Sequence, residues 1–337
     1  MIELWLPAWA KAFFVFGGAI TMKEFKSYDE QIELLKARGL KINDENFAIQ
    51  KLREDNYYNI INGYRDLFIT SGTKDSFIPN ATFEEIYALY DFDRILKNIL
   101  FKQILKVENI LRSLIAYNFS EKYGNDNYLK LSNFETLKGS GCTLKKYQER
   151  IEQIQTLLTN IQNDISRSIS KKTYINHYML NYGFVPLWVL VNAITLGRLS
   201  QFYSLMDQSI RIKVSKHWDI KEEDLNQYIK TLAYYRNLCA HDERIYNSKC
   251  NQDIPDTNIH SILEIPLNDG RYKNGKNDLF SLIIVLKILL PADEFNNMCN
   301  KINGRMRSLE QKITHIDCNR IFNAMGFPKN WVMIKKA

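Results

Sequence analysis

Glycine and proline are scarce in this sequence, with 14 and 7 residues in a chain of 337. Long disordered tracts are typically rich in such residues and poor in apolar ones, whereas 45% of this chain is hydrophobic. The composition therefore excludes an intrinsically disordered protein and is typical of a soluble globular one. The length accommodates one large domain or two small ones.

Cysteine is also scarce, and its pattern excludes two kinds of cross-link. The number is odd and no pair has C-x-x-C spacing, so neither a disulfide framework nor a zinc site is supported. Free thiols in a reducing cytosol are the expected state, and we predict a cytoplasmic protein without metal or cofactor. The five residues are Cys142, Cys239, Cys250, Cys299 and Cys318.

The sequence has no apolar run that reads as a membrane span. Residues 1–21 are mostly apolar, but Glu3, Pro7 and Lys11 interrupt them, and a span needs about 20 almost uncharged residues. A signal peptide would begin with a basic region, whereas the first charge here is acidic. We expect no stable membrane association, a native start at Met22, and a non-native extension over 1–21.

The charge is moderately basic, since 45 Lys and Arg residues exceed 38 Asp and Glu residues to give a net charge of +7. Such a surplus favours contact with a polyanion such as nucleic acid.

Apolar residues recur at intervals of three and four, which predicts long amphipathic helices. Thr82 and Glu85 form a capping-box pattern that opens the longest helix. Its apolar stripe continues to about Tyr117, with one gap at Asp93. Pro186 opens a further apolar segment, predicted as one buried helix that Gly197 ends or kinks. Other helices are predicted over 27–38, from 43 or 44 to 58, and over 143–167, 222–238 and 279–290.

No run of alternating apolar and polar residues predicts a β-sheet, so the expected fold is all-α, a helical bundle. Loop-like composition at 70–80 and 250–278 divides the chain. We predict an N-terminal helical segment over 22–80, a helical core over 81–250 and a C-terminal helical segment over 251–337.

One short motif suggests chemistry, because Arg236 and His241 form an R-x4-H element at the end of a predicted helix. Five helical positions rotate by about 140°, so the two side chains would not share one face. They converge only if the helix ends or bends between them, or if a second copy completes the site. Arg211 and His217 have similar spacing, which we interpret as a chance match.

These residue types suit RNA cleavage in which the ribose 2′-OH attacks the adjacent phosphorus. Histidine titrates close to neutral pH and can transfer a proton, while arginine stays charged and donates hydrogen bonds to phosphate oxygens. No metal is required, because the nucleophile belongs to the substrate. DNA lacks that hydroxyl and would resist cleavage.

The motif has the form R-N-x-x-A-H, which resembles the HEPN signature of the Abi-like family, the abortive-infection proteins of the AbiD and AbiF type. The sequence departs from the family at Asn192, a position where family members are often expected to carry an acidic residue. Further segments resemble the family in order along the chain: LLKARGLKI (34–42), DNYYNIINGYRDLF (55–68), LYDFDRILKNIL (89–100), VENILRSLIAY (107–117), VPLWVLVNAITLGRLSQFY (185–203) and AMGFPKNW (324–331).

The resemblance implies an α-helical HEPN core and a metal-independent endoribonuclease toxin that serves phage defence. HEPN nucleases usually pair two motifs, and this chain has one, so a homodimer with a composite site is implied. The substrate would be RNA. Restraint of the toxin in healthy cells would come from an antitoxin protein, a regulatory RNA or an inactive dimer arrangement.

Several residues near the motif have both a functional and a structural interpretation. Asn237 is predicted either to orient the histidine or a phosphate, or to cap the helix. Glu108 and Arg112 are predicted either to position Arg236 or to form an intrahelical ion pair. Contacts with RNA are predicted for five residues whose alternatives are core packing or solvation: Tyr235, Arg244, Tyr246, Lys171 and Lys172.

Two other functions fit the same sequence. A non-catalytic HEPN module would bind structured RNA without cutting it. A helical protein-interaction scaffold would show no salt-sensitive RNA binding, since phosphate contacts weaken steeply with salt.

Overall fold

The computed structural model describes residues 24–73, 75–138 and 141–337, and it confirms the predicted all-α class. The predicted extension over 1–21 lies outside the described residues. The α-helices are α1 (Tyr28–Ala37), α2 (Glu45–Asp55), α3 (Phe83–Tyr123), α4 (Leu144–Ile169), α5 (Thr173–Tyr182), α6 (Leu187–Leu190), α7 (Leu196–Leu205), α8 (Gln208–Ser215), α9 (Glu222–Ala240), α10 (Asn258–Ile262), α11 (Leu279–Leu289), α12 (Ala292–Lys312) and α13 (Cys318–Ala324).

Short elements connect these helices. The β-strands Leu267–Asn268 and Arg271–Tyr272 form an antiparallel hairpin, in which Leu267 pairs with Tyr272. The remaining short elements are one π-helical turn, Tyr58–Asn62, and the 3-10 turns Arg65–Phe68, Asn127–Leu129, Leu131–Asn133, Lys216–Trp218 and Trp331–Lys336.

The N-terminal helices begin at side-chain caps. Ser27 and Glu30 form a capping box at α1, and Asp44 caps α2 by accepting a hydrogen bond from the Phe47 amide. The second helix ends three residues before its predicted limit, because Asn56 adopts a φ of 69° that a helix cannot continue through.

Helix α3 runs through the centre of the fold. The predicted capping box is present, since Thr82 accepts from the Glu85 amide and the Glu85 carboxylate accepts from the Thr82 amide. The helix continues past its predicted end to Tyr123. Residues of its apolar stripe are buried, among them Ile86, Leu89, Leu96, Leu100, Ile104, Val107 and Leu111. Helices α9 and α12 pack along it.

The segment after Pro186 is not the single buried helix that the sequence predicts. Only Leu187–Leu190 forms α6, and Thr195 caps a new helix, α7, by accepting from the Arg198 amide. Because α7 begins at this cap, Gly197 lies within its first turn and does not end the preceding helix. The break leaves Trp188 49% exposed.

Helix α9 packs against α3, α7 and α11. Helix α11 is apolar almost throughout and is buried, in agreement with its prediction. In the part of the chain that the structure describes, no helix combines the length and apolarity that crossing a membrane would require.

Gly326 gives a direct test of the packing around α11. It has a φ of +82°, and an added Cβ would come within 2.2 Å of the Asp278 carboxyl carbon. We expect Gly326→Ala to lower the free energy of unfolding by about 2–4 kcal/mol, through strain and overpacking. Urea unfolding followed by circular dichroism would measure the change.

Gly304→Ala is the matched control, because Gly304 lies within α12 and an added Cβ would meet nothing within 4 Å. Alanine there should raise the free energy of unfolding by about 0.5–1 kcal/mol. Equal losses in both variants would contradict this account of the packing.

Candidate functional site

The R-x4-H element lies at the C-terminal end of α9. His241 is the residue that follows the last helical one. The Glu243 amide donates to the Leu238 carbonyl at 2.9 Å and the Asp242 amide to the Cys239 carbonyl at 3.4 Å. These two bonds form a Schellman-type helix end. The helix therefore ends between Arg236 and His241, which is one of the conditions under which the two can converge.

A buried lysine holds this helix end from α3. Asp242 has a φ of 55°, a left-handed conformation that usually takes glycine. The Lys97 ammonium is 5% exposed and donates to the Asp242 carboxylate at 2.5 Å and to its carbonyl at 3.1 Å. These contacts offset the cost of the left-handed residue, about 1–2 kcal/mol. The position of His241 is thus fixed from outside its own helix.

A buried carboxylate holds the segment after the helix end. Asp93 is fully buried and accepts hydrogen bonds from the Tyr64 hydroxyl at 2.6 Å, the Tyr246 amide at 2.8 Å and the Ile245 amide at 3.2 Å. Burial raises the pKa of Asp93, whereas these donors and Lys97 act to lower it. The sequence analysis assigned no role to Asp93. The gap that it makes in the apolar stripe of α3 is the feature that indicates a buried polar residue.

Glu108 lies between two arginines. Its carboxylate, 3% exposed, receives a hydrogen bond from Arg112 one turn along α3, and its other oxygen lies 3.5 Å from the Arg236 Nε. Arg112 also donates to the Ile194 carbonyl at 2.9 Å. The intrahelical ion pair and the contact with Arg236 thus coexist in one cluster, which links α3 to α9 and to the turn before α7.

The side chains of the motif face solvent around this helix end. Arg236 is 25% exposed, and both Asn237 and His241 are exposed. Within residues 24–73, 75–138 and 141–337, no hydrogen bond joins Arg236 to His241 or Asn237, and the Arg236 Nη atoms have no partner. The guanidinium is therefore held on one side and free on the other to meet a phosphate.

Two of the predicted RNA contacts have structural roles instead. Tyr235 and Tyr246 are fully buried, so neither ring can stack on a base; the first donates to the Ser248 carbonyl at 3.1 Å and the second stacks on Tyr64. These two predictions are wrong, because α9 and the loop that follows it place both rings in the protein interior. Arg244 donates from one Nη atom to the Gly63 carbonyl and to Asp66, and its role in RNA binding stays a prediction.

The two predicted lysine contacts lie at the junction of α4 and α5. Lys171 is exposed, and Lys172 donates to the Asn192 carbonyl at 3.2 Å. Asn192 borders a cleft of about 710 Å³ between α3 and α6, which Arg112 and Trp188 also line. The role of the two lysines in RNA binding stays a prediction. Sequence reasoning assigned no role to Trp188, because it treated the whole apolar segment as core.

Cys239 lies inside the motif but is chemically quiet. Burial raises the pKa of its thiol to about 12. The thiolate is the nucleophilic form, so this residue stays neutral and unreactive near pH 7.

Comparison with known proteins places the chain in a family. The family described as Abi-like protein matches residues 50–247, more than half of the chain, and the chain belongs to it. The matched range contains α3, α9 and the R-x4-H element. Neither the curated proteins nor the solved structures include a match to the chain.

Asp93→Asn tests whether the buried carboxylate holds the segment after the motif. The asparagine amide has one acceptor oxygen where the carboxylate has two. Its NH2 group would also face the three donors that converge there. We expect the free energy of unfolding to fall by about 1–3 kcal/mol, measured by urea denaturation.

Asp91→Asn is the control on the same helix, because Asp91 is partly exposed and forms an ion pair with Arg94. Its loss should stay below about 1 kcal/mol. A loss in Asp93→Asn no larger than that of the control would show that the segment after α9 does not depend on this carboxylate.

Proposed function

Since the chain belongs to the Abi-like family, we propose that it is a metal-independent endoribonuclease of the HEPN type that acts in abortive infection. The observation that carries this proposal is the end of α9, where His241 is exposed and Arg236 is partly exposed. Buried contacts from Glu108 and Lys97 hold that end. A surface arginine and histidine without function would not require such support.

The proposed chemistry uses these two side chains. The His241 imidazole takes the proton of the ribose 2′-OH as the oxygen attacks phosphorus, and the 5′-oxygen leaves with a proton. Arg236 donates to the phosphate oxygens, whose negative charge grows in the transition state. The products are a 2′,3′-cyclic phosphate and a 5′-hydroxyl.

A second copy of the chain would complete this proton balance. One histidine cannot easily act as base and acid in the same step, whereas two copies supply two imidazoles and two guanidinium groups. The proposed homodimer therefore joins two α9 ends around one RNA strand. Its restraint by an antitoxin or a regulatory RNA would act by blocking this arrangement.

The cleft beside Arg112 suits the RNA strand that leads to the site. Trp188 and Tyr117 line it and are 49% and 67% exposed. Exposed aromatic rings next to cations are typical of surfaces that bind single-stranded nucleic acid by stacking. Arg112 contributes to the cleft and to the Glu108 cluster, which connects the bound strand to the catalytic arginine.

Cleavage of total RNA by the purified full chain in EDTA tests the nuclease. We expect cutting that leaves 2′,3′-cyclic phosphate ends, and a loss of about 10²–10⁴-fold in His241→Ala, because proton transfer contributes that much. His217→Ala is the matched control, an exposed histidine of the chance R-x5-H pattern. It should cut at the rate of the unaltered chain.

The outcomes separate the alternatives. Equal cutting by the unaltered chain and His241→Ala would contradict the assignment of the residue. No cutting by any form, together with tight RNA binding, would favour the non-catalytic RNA-binding module. No RNA binding at all would favour the protein-interaction scaffold.

Trp188→Ala tests the cleft separately from the chemistry. Loss of one stacked base costs about 1–3 kcal/mol, so the affinity for a single-stranded RNA oligonucleotide should fall by about 5–150-fold in fluorescence anisotropy. Tyr58→Ala removes a similarly exposed ring outside the cleft and should leave affinity unchanged. Equal affinities for both variants would remove the cleft from the RNA path.

A further inference from the structure

A second cavity, separate from the α9 end, lies between α4, α7, α8 and α9. It has a volume of about 710 Å³ and is lined almost wholly by charged and amide side chains. It shares no lining residue with the Trp188 cleft. Its size falls within the range of small-molecule sites, about 300–1,000 Å³.

One of the cations in this cavity lies between two carboxylates. Arg211 lies 2.9 Å from one Glu222 oxygen and 3.1 Å from a Glu135 oxygen, and it donates to the Ser204 carbonyl at 3.1 Å. This arginine belongs to the chance R-x5-H pattern, and the contacts give it a purely structural role. Each of these two carboxylates of the cavity thereby has Arg211 as an ion-pair partner.

Arg150 is much less well satisfied. It donates from Nε to the Glu135 carbonyl at 2.9 Å, and its ion-pair contact with Glu135, which Arg211 also contacts, is 3.8 Å long. The side chain is only 16% exposed. Burial and the nearby Arg211 lower the pKa of Arg150, while Glu135 acts to raise it. Its outer donors therefore face the cavity with only this long contact to an anion.

Lys230 is a further cation of the cavity, and it has no ion-pair partner among the described residues. It is partly buried on α9, and no carboxylate lies within ion-pair distance of it among the described residues. Burial lowers its pKa. Nearby, the buried Oδ1 of Asn226 also lacks a hydrogen-bond donor. The only other acid of the cavity, Glu223, is exposed at its edge.

We propose that this cavity binds a phosphate monoester of a small polar molecule, with Arg150 and Lys230 on the phosphate and Asn226 on a hydroxyl or amine of the remainder. A partly buried lysine without a carboxylate and an arginine with only a long contact to one favour an anion, and guanidinium and ammonium groups together match the several oxygens of a phosphate. The side-chain amides of Gln153 and Gln227 also line the cavity, and they favour a polar ligand over an apolar one.

Titration calorimetry of the full chain with ribose 5-phosphate tests this proposal, with ribose and inorganic phosphate as separate probes. We expect ribose 5-phosphate to bind more tightly than either, and Lys230→Gln to weaken it by about tenfold or more, because a charged hydrogen bond is lost. Lys230 has no partner to lose, so this variant should fold normally. Arg150→Gln should weaken binding similarly.

Lys145→Gln is the matched control, since Lys145 is 85% exposed on the same helix as Arg150 and does not line the cavity. It should bind ribose 5-phosphate as the unaltered chain does. Absence of binding, binding equal to that of inorganic phosphate, or equal affinity in Lys230→Gln would each overturn the proposal. None of these results depends on RNA cleavage, so the nuclease proposal is tested independently.

Discussion

The position of the α9 end depends on the Glu108 carboxylate, which is buried between two guanidinium groups. Glu108 is 3% exposed, and a buried charge is tolerated only where opposite charges accompany it. Arg112 supplies one from the same helix and Arg236 the other from α9. Removal of either arginine would leave the buried carboxylate with one charged partner in place of two, so the cluster helps to hold α9 against α3.

Helix α3 also determines the course of the chain after the motif. Lys97 and Asp93 contact the chain at Asp242 and at 245–246, while Glu108 contacts it at Arg236. Successive positions from α9 onward thus meet α3 in descending order, which makes the two segments antiparallel here. The rigid length of α3 therefore sets where the exposed imidazole lies relative to the guanidinium, without any direct bond between them.

Much of this architecture was predictable, because local physics governs it. The Thr82 capping box, the apolar stripe of α3 and the buried α11 follow from spacing and composition alone. The prediction failed where contacts distant in sequence decide. Tyr235 and Tyr246 look like exposed rings beside a motif, but Ser248 and Tyr64 hold them inside. Trp188 looks like core, but a helix break at 191–195 turns it outward.

The polar residues of α3 show the same limit more sharply. Asp93 appeared only as a gap in the stripe, since its three donors come from elements about 30 and 150 residues away in sequence. The spacing of Glu108 and Arg112 predicted their ion pair, but no periodicity indicates a third partner on α9. Charged residues within an apolar stripe are the signal that such a partner exists.

We propose that Glu108 acts on the reaction through Arg236. A double-mutant cycle with Glu108→Gln and Arg236→Lys, read as single-turnover RNA cleavage rates, tests it most directly. We expect coupling of about 1 kcal/mol or more, because the two residues are in contact and the lysine cannot keep the guanidinium geometry. Losses that simply add would contradict the proposal, since Glu108 would then serve the fold and not the position of Arg236.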